Sequence, residues 1–128
     1  MPRTLALTTY LCDDYDRAIS WFREALGFVL LEDTPQPGKR WVRMAAHEGA
    51  ETGFLIAKAT TPAQRAAIGR QAGDRVGYFL FVDDFEAQYA RMQAAGVRFC
   101  EAPRDEPYGR VVVFEDLYGA KWDLMQPA

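Results

Sequence analysis

Histidine and cysteine, which supply many of the protein ligands to transition metals, are scarce in this chain of 128 residues. The only histidine, His47, falls in a turn between two predicted strands, where a solvent-exposed side chain is favoured over a metal ligand or general base. The two cysteines, Cys12 and Cys100, follow no metal-binding or disulfide spacing. We therefore expect reduced thiols in a cytoplasmic protein, and a bond between the two cysteines stays open.

Long apolar runs and runs of basic residues are also missing. No apolar stretch approaches the ~20 residues that a membrane span requires, and the start, MPRTLALTTYL, lacks the apolar core and cleavage site of a signal peptide. The net charge is −3, and no cluster of Lys or Arg offsets it. We expect neither nucleic acid nor a membrane surface as the main partner.

What the chain does contain is an internal repeat. The segments DDYDRAISWFREALGF and DDFEAQYARMQAAGVRF each start with paired acids, continue with an apolar stripe at helical spacing, and end at a glycine. Asp14 and Asp84 differ by 70 positions, whereas Gly27 and Gly96 differ by 69, so the helical region needs one gap. The acids suit helix N-caps and the glycines suit C-terminal caps, which predicts one helix in each half.

Strand patterns surround each helix in the same order. TLALTTYL and VGYFLFV precede the helices, FVLLE and VRFCE follow them, and a Pro/Gly-rich loop leads to two further strands joined by a turn. Each half therefore predicts a βαβββ module, with module one at residues 1–58 and module two at 76–128. Residues 59–75 predict a linker with a short helix that Thr61 caps and Pro62 begins.

This order of motifs resembles the vicinal oxygen chelate superfamily, which includes glyoxalase I, bleomycin-resistance proteins and extradiol dioxygenases. The resemblance rests on YDRAISWFREALGF in the first half, and on VDDFEAQYARMQAAGVRF and FEDLYGAKWDLMQP in the second. It implies an α+β fold of two tandem βαβββ modules, with curved mixed sheets around a cleft and the helices on the outer faces. It also implies a homodimer.

In members of this superfamily that use a metal, the ligands come from the first and fourth strands of each module. Matching the helix starts and turn glycines maps those four positions onto Leu7, Gly53, Gly77 and Asp123. Only Asp123 has a side chain that can bind a cation, and a catalytic divalent site normally takes about three protein ligands. We therefore expect no metal and no other cofactor.

The resemblance also places several apolar and polar side chains at the cleft wall. Asp123 is a candidate ligand contact or general base, with Arg43, Arg40 or Lys121 as a possible cationic partner. The parity of the third strand leaves open whether Trp41 and Arg43 or Val42 and Met44 face inward. The two mapped glycines leave room for a ligand or mark positions where the two modules approach each other closely. The candidate ligand-binding residues are Asp123, Trp41, Arg43, Thr9, Phe79, Phe81, Leu7, Gly53 and Gly77.

Two functions from different classes follow. The first is a metal-free protein that binds a small, partly apolar molecule in its cleft, as bleomycin-resistance proteins do by sequestration. The second is a metal-dependent lyase, isomerase or dioxygenase with non-standard ligands, for which Asp123, Glu51 and His47 would have to converge. The apolar wall and the missing ligand set favour the first.

Overall fold

A computed structural model describes all residues, 1–128, and divides them into two compact units, Met1–Ile68 and Gly69–Ala128. Each unit contains one of the two repeats, and we call them module one and module two. The segment 59–75 contributes to both units, because its helix belongs to the first and its following turn to the second.

Module one is a four-stranded mixed sheet with a helix on one face. Its strands lie in the order β1-β4-β3-β2, and β1 runs parallel to β4. The short helix α2 contacts β1. The elements in chain order are β1 (Leu7–Cys12), α1 (Tyr15–Trp21) with a π-helical turn (Phe22–Leu26), β2 (Val29–Gln36), β3 (Lys39–Ala45), β4 (Gly53–Lys58) and α2 (Pro62–Ala67).

Module two repeats this arrangement. Its strands lie in the order β5-β9-β8-β6, with β5 parallel to β9 and with β7 also paired to β8. The elements are β5 (Val76–Phe81), α3 (Phe85–Ala94), β6 (Arg98–Phe99), β7 (Arg104–Glu106), β8 (Gly109–Glu115) and β9 (Lys121–Pro127). The α+β class and the tandem modules are confirmed, with β7 as an additional strand.

All three helices begin where the sequence predicts. The side chains of Asp14 and Asp84 accept hydrogen bonds from the backbone N–H groups three residues onward, at 2.9 and 3.1 Å. Thr61 accepts from the backbone N–H of Gln64 at 3.1 Å and caps α2. Each cap satisfies one of the backbone donors that the first turn of a helix leaves without a partner.

The gap in the repeat corresponds to a visible difference between the two main helices. In module two, the backbone N–H of Val97 donates to the carbonyl of Met92 and closes a regular helix end. In module one, the equivalent bond runs from Phe28 to Phe22, one residue further back, through the π-helical turn. Such a turn accommodates one additional residue in a helix. The extra residue of the first repeat is therefore held within its helix.

The core of each module lies between the sheet and its main helix. In module one, Tyr10 packs edge-on against Phe22 of the helix at 5.0 Å between ring centroids, and both are fully buried. In module two, Phe114 stacks on Trp122 at 5.7 Å, and Phe85 and Met92 of α3 are buried. These contacts identify the side of each sheet that its helix covers.

Two segments predicted as loops contain strand structure. The sequence DTPQPG predicts a loop, but β2 continues through Gln36 and pairs with β3, with Pro35 opposite Arg40. A proline is tolerated there because β2 is an edge strand. Similarly, β7 lies within APRDEPYG. Both loop predictions are wrong for the paired residues, because pairing with an adjacent strand outweighs the turn preference of Pro and Gly, whereas residues 37–38 and 107–108 form turns.

Candidate functional site

The face of the module-one sheet opposite α1 carries the predicted site residues of that module. On β3, Val42 and Met44 are fully buried beneath the helix, so Trp41 and Arg43 lie on the opposite face. On β1, the burial of Tyr10 and Cys12 likewise assigns Leu7, Thr9 and Leu11 to that opposite face. Strand pairing places Thr9 beside Leu55, and Leu55 beside Arg43. The structure thus shows that Trp41 and Arg43, and not Val42 and Met44, lie on the face away from the helix.

A concave pocket of about 390 Å³ lies within module one. Its apolar part comes from β1, β3 and β4, and its rim comes from the β2–β3 turn and from the segment that leads into α2. Trp41 is half-buried and is one of two aromatic residues in the lining, with Tyr15. The lining residues are Thr9, Leu11, Tyr15, Gly38, Lys39, Arg40, Trp41, Leu55, Ile56, Ala57, Lys58, Thr60 and Gln64.

The two arginines of β3 are engaged by acids of their own module. Arg40 donates to Asp33 at 2.6 Å, forms an ion pair with Asp16 at 3.0 Å, and lies over the Tyr15 ring at 5.1 Å. The hydrogen bond from Arg40 lowers the pKa of the Asp33 carboxyl. Arg43 pairs with Glu32 at 3.4 Å. Neither guanidinium is therefore an uncompensated charge.

In module two, the face opposite α3 brings Asp123 together with the predicted aromatic residues. Phe79 pairs with Asp123, and Phe81 pairs with Met125, across β5 and β9. Paired residues project from the same face of a sheet, and both phenylalanines remain 61% exposed. Val113 lies on the other side of Asp123. The strand neighbours of Asp123 on both sides are therefore apolar.

Burial is the main influence on the Asp123 carboxyl and raises its pKa. Arg104 acts in the opposite direction, and Glu101 adds to the rise. Arg104 is itself fixed by Glu101 at 3.2 Å and Glu106 at 2.9 Å. Arg104 is not among the predicted site residues, because it lies in β7, inside a segment predicted as a loop. The three adjacent charged residues of PRDEP are the only local sign of this cation in the sequence.

The two mapped glycines are positions of close packing within their own modules, against backbone at Gly53 and against a side chain at Gly77. A Cβ atom at Gly53 would lie 2.6 Å from the carbonyl oxygen of Met44 on β3, and one at Gly77 would lie 2.8 Å from Cβ of Ala72. Real Cβ contacts are essentially never shorter than 3.0 Å. Packing within the module therefore accounts for both glycines without a ligand.

A register shift separates two of the mapped positions. Leu7 and Gly53 are direct partners in module one. In module two, an irregularity between Val76 and Tyr78 shifts the pairing, so that Asp123 lies opposite Phe79 and not opposite Gly77. Phe79 is thus the strand neighbour of the carboxylate.

The turn before β9 is organised by Asp116, the one polar residue in the buried core. Its Oδ1 atom accepts from the backbone N–H groups of Tyr118 and Ala120, each at 3.0 Å, and its Oδ2 atom accepts from Nε1 of Trp122 at 2.9 Å. These bonds fix the start of β9, and with it the face on which Asp123 projects. Asp116 is not among the residues that the sequence pattern singles out.

The metal-ligand candidates do not form a cluster. Neither module brings three His, Cys, Asp or Glu side chains together in an arrangement that could hold a metal ion. His47 is exposed in the β3–β4 turn, and Glu51 is exposed in the same turn. Cys12 and Cys100 are both free thiols, the first buried and the second exposed. None of the helices combines the length and the hydrophobicity that a membrane-spanning helix requires.

Comparison with known proteins gives consistent matches over nearly the whole chain. Residues 4–124 match the family described as the Glyoxalase/Bleomycin resistance protein/Dioxygenase superfamily. An uncharacterized protein of Shewanella frigidimarina (strain NCIMB 400) is 43% identical over 128 residues, covering 98% of this chain and 95% of that protein.

Two solved structures from Streptomyces sp. CB03234 are similar in both sequence and fold. TnmS3, described as an antibiotic binding protein, is 30% identical with a TM-score of 0.80, covering 100% of this chain and 98% of its own. A glyoxalase/bleomycin resistance protein is 31% identical with a TM-score of 0.74, covering 94% of this chain and 98% of its own.

Proposed function

This chain belongs to the Glyoxalase/Bleomycin resistance protein/Dioxygenase superfamily, and we propose that it binds a small, partly apolar organic molecule without a metal. The observation that carries this proposal is the pocket in module one, where Trp41 and the apolar side chains Leu11 and Leu55 line a volume of about 390 Å³. Pockets of roughly 300–1,000 Å³ with apolar walls and a few polar groups are typical of small-molecule sites.

The similarity to an antibiotic-binding protein supports the same class of function. TnmS3 is described as binding an antibiotic, and we propose that this chain likewise binds a compound with an aromatic ring system. An indole side chain can stack on such a ring, and a preformed wall of strands holds it in place at little cost in conformational entropy. Binding of this kind needs no catalytic group.

A ligand screen with matched tryptophan variants tests the proposal. Trp41 lines the pocket, whereas Trp21 lies on α1 against Phe22, and both are half-buried in module one. A library of aromatic small molecules is screened by thermal shift, and hits are measured by calorimetry. We expect Trp41→Ala to weaken binding of the hits at least tenfold and Trp21→Phe to leave it unchanged. Hits that bind Trp41→Ala as tightly as the wild type contradict the proposal.

Elemental analysis separates this function from the metal-dependent alternative. We expect purified protein to hold well under one equivalent of any divalent metal, and EDTA to leave the melting temperature unchanged. One equivalent of bound metal that stabilises the protein would support the lyase, isomerase or dioxygenase reading instead.

We also propose that the protein is a homodimer. The supporting observation is the pair Phe79 and Phe81, adjacent on one sheet face and each 61% exposed. Large aromatic side chains exposed side by side mark a surface that is covered by a partner or a ligand. Light scattering after gel filtration is expected to give twice the chain mass of 14.5 kDa. A Phe79→Ser/Phe81→Ser variant is expected to shift toward the monomer, and a monomeric wild type at all concentrations rejects the proposal.

A further inference from the structure

The pocket of module one has an unusual charge composition for this chain. The protein has three lysines and a net charge of −3, yet two of those lysines, Lys39 and Lys58, line this one pocket together with Arg40. No Asp or Glu is among the lining residues. The acids that outnumber the bases elsewhere are thus excluded from this concave surface.

Only part of this positive charge is compensated. Arg40 is engaged by Asp33 and Asp16, so its guanidinium has a fixed place and a balanced charge. Lys39 and Lys58 form no ion pair, and both are exposed. Lys58 pairs with the buried Cys12, so its side chain starts from the face of the sheet that α1 covers. Lys39 shares its strand face with Trp41. An ammonium group therefore stands beside the aromatic surface with no acid to neutralise it.

Gln64 adds a directed donor to the same rim. Its Oε1 atom accepts from the backbone N–H of Thr60 at 2.8 Å and from the Thr60 hydroxyl at 3.1 Å. A backbone N–H can only donate, so the atom that it meets must be the amide oxygen. The Nε2 group of Gln64, with two N–H donors, is left without a partner in the structure. The polar groups available to a ligand here are therefore chiefly donors.

We propose that this pocket selects an aromatic anion, with the ring system of the ligand on Trp41 and its carboxylate at the rim formed by Lys39 and Gln64. This inference rests on the proposed function and adds the charge of the ligand to it. Charge-assisted hydrogen bonds from ammonium and amide donors suit a carboxylate, whereas a cationic ligand would meet like charges and no acceptor carboxylate.

The test compares three probes of similar shape and different charge: 2-naphthoate, 2-naphthalenemethanol and 2-naphthylmethylammonium. Binding to the full-length protein is measured by calorimetry and by tryptophan fluorescence at low and high salt. We expect 2-naphthoate to bind at least about fivefold more tightly than the neutral alcohol, the ammonium probe to bind weakest, and the preference to shrink in 0.5 M salt as charges are screened.

Three exposed or half-buried positions provide variants that should fold normally. Lys39→Gln is expected to weaken 2-naphthoate binding about two- to fivefold, with little change for the alcohol. Lys58→Gln should weaken it less, because Lys58 pairs with Cys12 on the other face of the sheet. Gln64→Glu retains an oxygen for Thr60 but replaces the donors by a negative charge, and it should weaken 2-naphthoate most. Lys121→Gln, on β9 of module two, removes the same charge elsewhere and is the matched control.

The outcomes separate the two proposals. If the alcohol or the ammonium probe binds as tightly as 2-naphthoate, or if Lys39→Gln matches the Lys121→Gln control, the inference about charge is wrong while ligand binding stands. If none of the three probes binds, and the aromatic library gives no Trp41-dependent hit, the proposed function itself is wrong and the charge inference fails with it.

Discussion

Removing the Asp116 carboxylate should destabilise module two strongly, because three donors converge on it. Asp116 is 7% exposed and accepts from the N–H groups of Tyr118 and Ala120 and from the indole of Trp122, which is 2% exposed. A hydrogen bond to a charged group contributes roughly 1.5–3 kcal/mol, and a buried donor left without a partner costs roughly 1–3 kcal/mol. These effects overlap, so we expect Asp116→Ala to lower the free energy of unfolding by about 3–5 kcal/mol.

The substitution Asp116→Asn isolates one of the three bonds. The asparagine oxygen can still accept from the two backbone N–H groups, but its NH₂ group then faces Nε1 of Trp122, donor against donor. We expect a loss of about 2–3 kcal/mol. Changing Trp122→Phe removes the opposing donor, so the double variant Asp116→Asn/Trp122→Phe should be less destabilised than the sum of its two single variants.

Urea unfolding followed by circular dichroism measures these free energies. Asp84→Ala is the matched control, because that exposed carboxylate accepts one backbone N–H bond as a helix cap, and its loss should cost about 1 kcal/mol. The reasoning is refuted if Asp116→Ala costs no more than Asp84→Ala. It is also refuted if the coupling between Asp116→Asn and Trp122→Phe is below about 0.5 kcal/mol, the error of additivity for independent sites.

The remaining predictions concern other parts of the two sheets. Burial raises the pKa of Asp123 in the folded protein, so its ionisation lowers the stability of the fold as pH rises through that folded pKa. We therefore expect Asp123→Asn to be more stable than wild type at pH 7. Urea unfolding at a series of pH values should show that this advantage vanishes below pH 3.8, the ordinary pKa of the carboxyl. Gly53→Ala should lower the melting temperature by several degrees because of its backbone clash, whereas Gly49→Ala, with no neighbour closer than 3.9 Å, should not. Burial raises the pKa of the Cys12 thiol to about 11, so a thiol reagent at pH 8 should label only the exposed Cys100 in native protein and both cysteines after denaturation.

Features that depend on neighbouring residues in the chain were predictable from the sequence. The caps at Asp14, Thr61 and Asp84 satisfy backbone donors three residues away, so their sequence pattern carries the whole interaction. The repeat then gave the module order, because two copies of one pattern constrain each other. The element order could therefore be predicted correctly even though each motif alone is short.

Features that depend on pairing across the sheet were not predictable in the same way. The local sequence around Pro35 predicts a loop, because the pairing of β2 with β3 is not visible in it. A strand is possible there because β2 lies at the edge of the sheet. The partner of Asp123 was sought at Arg43, Arg40 and Lys121, whereas the cation that acts on it is Arg104 of β7. A strand of three residues leaves no periodic signal in a sequence.

The candidate site likewise combines features that the local sequence predicts with features that depend on tertiary packing. Alternation correctly grouped Leu7 with Thr9, but it could not show which side of β3 the helix would cover, and that choice brings Trp41 to the pocket. The pocket rim also depends on Gln64, whose amide is oriented by Thr60 across a turn. Donor orientation of this kind comes from hydrogen-bond geometry, which residue types alone do not contain.

The π-helical turn at Phe22–Leu26 shows where module one accommodates a residue that module two lacks. A single extra residue would change the face of every following residue if it entered a strand, yet here it is absorbed before β2 begins. The length of this helix is therefore a variable that can drift without disturbing the sheet. Deleting Glu24, an exposed residue of that turn, should convert it to a regular α-helix and leave a protein whose two halves have equal spacing.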